Sequence, residues 1–153
     1  MTFDPAVIYE SAYDAGHERQ VADIVCAQVP NLQAMPTPKF HPFDFHLMRV
    51  YDRGSWDYWG GLEVKWFTHD STRSGVFKFD KLVSLLACTL HRDDPNCYHR
   101  VAFRFTDGVL VSRAKDLSAA TPKVFTRRDT GETDLVIGIQ VGTTPGTWIE
   151  VAT

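Results

Sequence analysis

Residues 43–67 read FDFHLMRVYDRGSWDYWGGLEVKWF, and the period of this stretch decides the fold. Phe43, Phe45 and Leu47 alternate with Asp44, His46 and Met48, and Val50-Tyr51 extends the run, which predicts a strand with one apolar face. Asp52-Arg53-Gly54-Ser55 reads as a turn. From Tyr58 to Phe67 the pattern resumes as the next strand or pair of strands. Leu62, Val64 and Trp66 share one face, Glu63 and Lys65 the other.

Working outward, the spacing of Val21, Ile24 and Val25 predicts a helix over residues 5–29, ended by Pro30, with Gly16 as a candidate break before His17. Residues 30–42, PNLQAMPTPKFHP, carry four prolines and are expected to be mostly loop or extended chain. On the other side, residues 69–75 read as a polar loop. Asp80 is placed to cap a helix over residues 81–91, with Leu82, Val83, Leu85, Leu86 and Leu90 as its buried stripe. A strand over residues 98–105 turns at Asp107-Gly108 into another over 109–112. Three short strands are expected in the tail, at 124–127, 134–140 and 148–151. The order α, β, β, β, α, β, then extra β, predicts an α/β domain. Its mixed central sheet is flanked by helices, with parallel strands around the second helix.

A chain of 153 residues is one domain, expected to span 1–153. Its 44% hydrophobic and 23% charged residues exclude a disordered or fibrous chain. A net charge of −3 argues against a strongly basic protein that coats nucleic acid, but a carboxylate metal site on a nucleic-acid enzyme would itself lower the charge. Residues 1–30 are net −4 and residues 31–92 net +2, which places a basic face near the middle of the chain. Cys26, Cys88 and Cys97 make no disulfide framework and predict a reducing, cytoplasmic setting. No apolar run is long enough to cross a bilayer, and the start, MTFDPAVIYE, lacks the pattern of a secretory signal, so no membrane partner is expected.

The chemistry centres on Asp44 and the triplet Glu63-Val64-Lys65. Should Asp44 lie on the strand next to Glu63, the two carboxylates repel unless a divalent cation sits between them. Hard oxygen ligands suit Mg²⁺ or Mn²⁺. A lysine on the same face can orient a water or hold a phosphate oxygen, which is what phosphodiester hydrolysis needs. Gly60-Gly61, just before the triplet, lets a backbone or a ligand approach closely.

Pro42-Phe43-Asp44, eighteen residues, then Glu63-Val64-Lys65 resembles the signature of the PD-(D/E)XK nuclease superfamily, with Phe43 standing between the proline and the aspartate. The expected order of elements over residues 16–112 resembles that superfamily's restriction-endonuclease-like αβββαβ core, leaving residues 113–153 as a β-rich tail. The helix that begins Gly16-His17-Glu18-Arg19 resembles the first helix of the Holliday-junction-resolvase branch. The resemblance implies a Mg²⁺- or Mn²⁺-dependent deoxyribonuclease. In it Asp44, Glu63, the Val64 carbonyl and Glu18 hold the metal, and Lys65 positions or activates the water. It also implies a homodimer or higher homo-oligomer. Glu10 is the alternative helix acid. Branched DNA, a specific duplex site and flapped or damaged DNA remain open as substrates. Two rival classes are a non-catalytic DNA-binding or assembly module and a β-rich interaction protein with these charges merely exposed.

Lys78, Lys81 and His46 are candidate DNA contacts, although for His46 a hydrogen-bonded structural role is the more frequent one. His91, Cys97 and His99 match no four-ligand zinc spacing. Trp56, Tyr58, Trp59 and Trp66 are candidates for stacking on bases, with sheet packing the stronger reading for Trp66.

Overall fold

The computed structural model describes residues 5–38, 41–88 and 98–152, and their side chains from Gly16 onward. The elements run α1 (Pro5–Cys26), β1 (Leu32–Pro36), β2 (Phe45–Val50), a 3₁₀ turn (Asp52–Gly54), β3 (Trp56–Trp66), β4 (Gly75–Lys78) and α2 (Phe79–Ala87). They continue with β5 (Arg100–Phe105), β6 (Gly108–Arg113), α3 (Ala114–Leu117), β7 (Lys123–Thr126), β8 (Thr133–Ile139) and β9 (Thr147–Glu150). A six-stranded sheet has the order β1-β2-β3-β5-β6-β9, and a three-stranded sheet the order β4-β8-β7. The large sheet is mixed: β3 and β5 are parallel and its other pairs antiparallel. A parallel pair needs a crossover, here carried by β4 and α2.

Alternation on β3 divides two cores. Leu62 and Val64 join Phe45 and Leu47 of β2 beneath Val21, Ala22 and Val25 of α1. Phe43, Val101, Phe103 and Phe105 face the other way, against Leu82 and Leu85 of α2, Leu117 of α3 and Ile137 and Ile139 of β8. Each core buries a dozen or so apolar side chains, so the sheet is held from both faces.

Four expectations are corrected. Helix α1 passes through Gly16 unbroken, since one glycine costs a helix only about 1 kcal/mol. It ends at Cys26, where Gln28 and Val29 tighten to i−3 bonds and Asn31, at φ 65°, turns the chain into β1. The proline-rich segment contributes a paired strand: β1 lies at the sheet edge, where Pro36 forfeits no central ladder bond. The stretch around the Glu63 triplet is one strand of eleven residues, so β1 and not a split of this segment adds a third strand of the large sheet before α2, with β4 of the small sheet a fourth. Finally, α2 starts at Phe79, with Lys78 and not Asp80 at its cap, and buries only Leu82 and Leu85. Val83 and Leu86 are 46% and 40% exposed, because a helix at the surface turns only one narrow row inward. Leu90 and His91 lie outside the described residues. β4 and α3 were not expected at all.

Gly60 and Gly61 admit protein, not a ligand. Gly60 sits at φ 105° beside a bulge that leaves Trp59 unmatched between the Leu47–Gly60 and Met48–Tyr58 pairs. A Cβ on Gly60 would lie 2.1 Å from the Tyr98 carbonyl oxygen, and one on Gly61 would enter the Phe43 ring. Gly60→Ala is therefore expected to cost about 3 kcal/mol, or about 10 °C in Tm. Gly54→Ala is the control. It has φ 80° but no neighbour within 4 Å, so it carries only the backbone strain, about 1 kcal/mol. Equal losses in thermal melts of the two would refute the steric account.

Candidate functional site

Asp44 sits where β2 and β3 part. Its N–H donates to the Leu62 carbonyl (2.9 Å), a backbone bond where the two strands separate, and its own carbonyl accepts from the Thr37 N–H (2.9 Å). The next amide on that edge of β3, Val64 N–H, is left without a β2 partner and donates to Asp44 Oδ2 (2.8 Å). A charged acceptor on a strand-end amide is a strong, orienting bond, so the carboxylate is fixed at the opening.

Glu63 is 5% exposed and occupies the same sheet face. Its carboxyl lies beside that of Asp44. Burial, then the neighbouring Asp44, push its pKa up to about 8, against the pull of Lys81. Lys81 Nζ lies 3.3 Å from Glu63 Oε2. Near neutral pH Glu63 thus keeps its proton, because a second buried carboxylate beside another cannot ionise cheaply.

Lys65 is half-buried two residues along the same face. Burial lowers its pKa first, followed by the charges of Arg127, Lys78 and Lys81, while Glu63 raises it. Three cations converging on a fourth is a costly arrangement unless an anion is meant to enter.

These groups line one cavity of about 370 Å³. Asp44, Glu63, Val64 and Lys65 form its floor, Glu18 reaches it from α1, and Lys78 and Lys81 stand at the junction of β4 and α2. Among the lining residues that escaped the sequence reading are Phe125, Arg127 and Asp134, from β7, the turn after it and β8. Strands were expected there, but no local pattern tells which part of the molecule a hairpin will face. Among the described residues no three His, Cys, Asp or Glu side chains gather into a metal-holding group; the acids in mutual contact are Asp44 and Glu63. Glu10 lies on α1, outside the residues whose side chains are described.

His46 shares the sheet face of Asp44 but does not line the cavity. Its Nδ1 hydrogen-bonds the Tyr58 hydroxyl (2.6 Å), and its ring packs edge-on against Phe43 and His41. Burial and the neighbouring His41 hold its pKa below the usual histidine range. His99 uses both ring nitrogens, Nδ1 accepting from Gly61 N–H and Nε2 donating to the Cys88 carbonyl. His91 and Cys97 lie outside the described residues. Trp66 is 36% exposed, edge-on to His17, and Trp56 is 57% exposed. A larger cavity, about 540 Å³, opens on the α1 face beside Trp59, Arg100 and Arg113; it contains one carboxylate, Asp116, and no acid pair. No helix of the described residues is long and apolar enough to cross a membrane. No family model, curated protein or solved structure matches the chain.

Proposed function

We propose that this chain is a metal-dependent DNA endonuclease of the PD-(D/E)XK type. The observation that carries the reading is the convergence of Asp44, Glu63 and Lys65 on one cavity at the parting of β2 and β3, with Asp44 fixed by the Val64 amide. Leaving aside β4, which joins the second sheet, the order α1-β1-β2-β3-α2-β5, with β3 and β5 parallel, supports it as similar to a restriction-endonuclease-like core.

The donor set suits a hard cation: a buried Glu63 that keeps its proton beside Asp44 would give it up to a divalent ion between the two carboxyls. Asp44 and Glu63 would hold it, joined by the Val64 carbonyl and Glu18 as the resemblance implies. Mg²⁺ or Mn²⁺ there supplies Lewis-acid polarisation of the phosphate. The protein supplies the rest. Asp44 is held in place by the Val64 amide, so the site forms without rearrangement at the moment of reaction. Lys65, with its depressed pKa, orients the attacking water and takes up its proton. Lys78 and Lys81 attract the DNA backbone. Branched DNA is the substrate favoured by the Glu18 helix, and a homo-oligomer would bring two such sites to two strands.

One observation favours a second reading. The Lys81 ammonium lies against Glu63 Oε2, an oxygen a metal would need, as a non-catalytic module on the same fold would allow. The purified protein separates the two. It is expected to nick or cut DNA with Mg²⁺ or Mn²⁺ and not with EDTA, when four-way junction, flap and plain duplex are compared side by side. No cleavage of any of them at micromolar protein would favour the module.

A further inference from the structure

The hairpin of β7 and β8 comes from the tail, which the resemblance leaves unexplained, yet it forms one wall of the cavity. Its register pairs Phe125 with Asp134 and Lys123 with Val136, while Lys78 of β4 also pairs with Val136. Alternation therefore turns Phe125, Arg127, Asp134 and Val136 toward the cavity and Val124 and Leu135 away from it.

Arg127 follows β7, at the start of the turn that joins it to β8. Its N–H donates to the Glu132 carbonyl (2.8 Å) and its carbonyl accepts from Gly131 N–H (2.9 Å), so its backbone closes the turn. The side chain thus leaves a fixed point, which lowers the cost of holding a ligand. Among the described residues Arg127 makes no ion pair, although Asp134 lines the same cavity. Lys81, by contrast, is engaged with Glu63. A guanidinium offers two parallel N–H donors that match two oxygens of one phosphate, which an ammonium cannot do.

We propose that Arg127 is the phosphate clamp of this site, its guanidinium binding the non-bridging oxygens of the phosphate presented to Asp44, Glu63 and Lys65. The inference rests on the nuclease reading and adds to it a substrate-binding role for the tail. As charge builds on those oxygens during attack, the clamp binds more strongly, so its removal slows the chemical step more than it weakens binding.

The test is single-turnover cleavage of a labelled four-way junction with Mg²⁺, beside binding of the same junction with Ca²⁺. Arg127→Ala is expected to slow cleavage about thirtyfold and weaken binding less than about fivefold. Arg127→Lys keeps the charge but not the fork and is expected to stay at least about fivefold slow. Arg128→Ala removes the same charge one residue away, outside the cavity lining, and is expected to cleave like wild type. Equal losses in Arg127→Ala and Arg128→Ala, or full rescue by lysine, would overturn the clamp. A titration with thymidine 3′,5′-bisphosphate, read on the Arg127 Nε–H resonance, tests it without catalysis, and a shift is expected. A protein that shows the shift and cuts no DNA would overturn the nuclease reading and keep the clamp. One that cuts DNA with Arg127 unshifted would do the reverse.

Discussion

Glu63→Gln is expected to abolish metal-dependent cleavage, by about a thousandfold or more, and to make the metal-free protein more stable in alkaline solution. The first effect follows from losing one of two carboxylates that would hold the cation, a group for which an amide is a poor substitute. The second follows from linkage. Glu63 is buried against Asp44, and its pKa is raised from 4.5 to about 8. Between these values the folded protein carries a proton that the unfolded chain has released, so stability falls as pH rises. The contribution is full below about pH 4.5 and gone above about pH 8. Glutamine does not titrate and escapes this loss. Urea unfolding in EDTA is expected to show wild type and variant close together at pH 5. At pH 8.5 the variant should lead by on the order of 3 kcal/mol. Adding Mn²⁺ at pH 8.5 is expected to raise the wild-type Tm and leave that of the variant unmoved. A flat wild-type profile across this window would refute the buried proton on Glu63, and normal cleavage by the variant would refute the metal site. Asp44→Asn is the companion change. It keeps an oxygen for the Val64 N–H, so lost cleavage there would not trace to a broken strand end.

Lys65→Ala is expected to slow cleavage by about a hundredfold, the scale of one preorganised charge at a reacting centre. DNA affinity is expected to change little, since one phosphate contact among several is a small electrostatic term. Lys65→Arg should rescue poorly, because a wide guanidinium cannot replace a compact ammonium and holds its proton at every accessible pH. The depressed pKa of Lys65 adds a pH signature: the limb of the rate profile assigned to it should lie below that of an ordinary lysine and vanish in the alanine variant. Single-turnover kinetics beside a binding titration decide the matter. A variant that binds weakly but cuts at the normal rate once bound would make Lys65 a DNA contact and remove it from the reaction.

Much of the site was legible because strand and helix periods are local. Alternation alone put Leu62 and Val64 on one face and Glu63 with Lys65 on the other, and the parallel strands around the second helix followed from the order of elements. The apolar rows that hold α1 were visible in Val21 and Val25. The edge strand β1 was hidden because proline chemistry forbids a donor, not a strand; only pairing with β2 reveals it. The exposed Val83 and Leu86 misled because a leucine-rich helix shows its period but not how much of its girth the rest of the protein will cover.

By itself, then, the sequence determined the faces: which side chains turn inward, and that an acid and a lysine share one side of β3. Only the tertiary structure decided their company. That Asp44 meets Glu63 depends on the β2–β3 register, displaced by the bulge at Trp59, and a slip of one residue would turn Asp44 to the opposite face. That Lys78, Lys81 and Arg127 surround Lys65 depends on β4, α2 and β7 packing over the same strand from distant points in the chain. The physical reason is that period is set by bonds between near neighbours. The meeting of residues far apart in sequence is set by which faces can be buried together, and that sum is taken over the whole molecule.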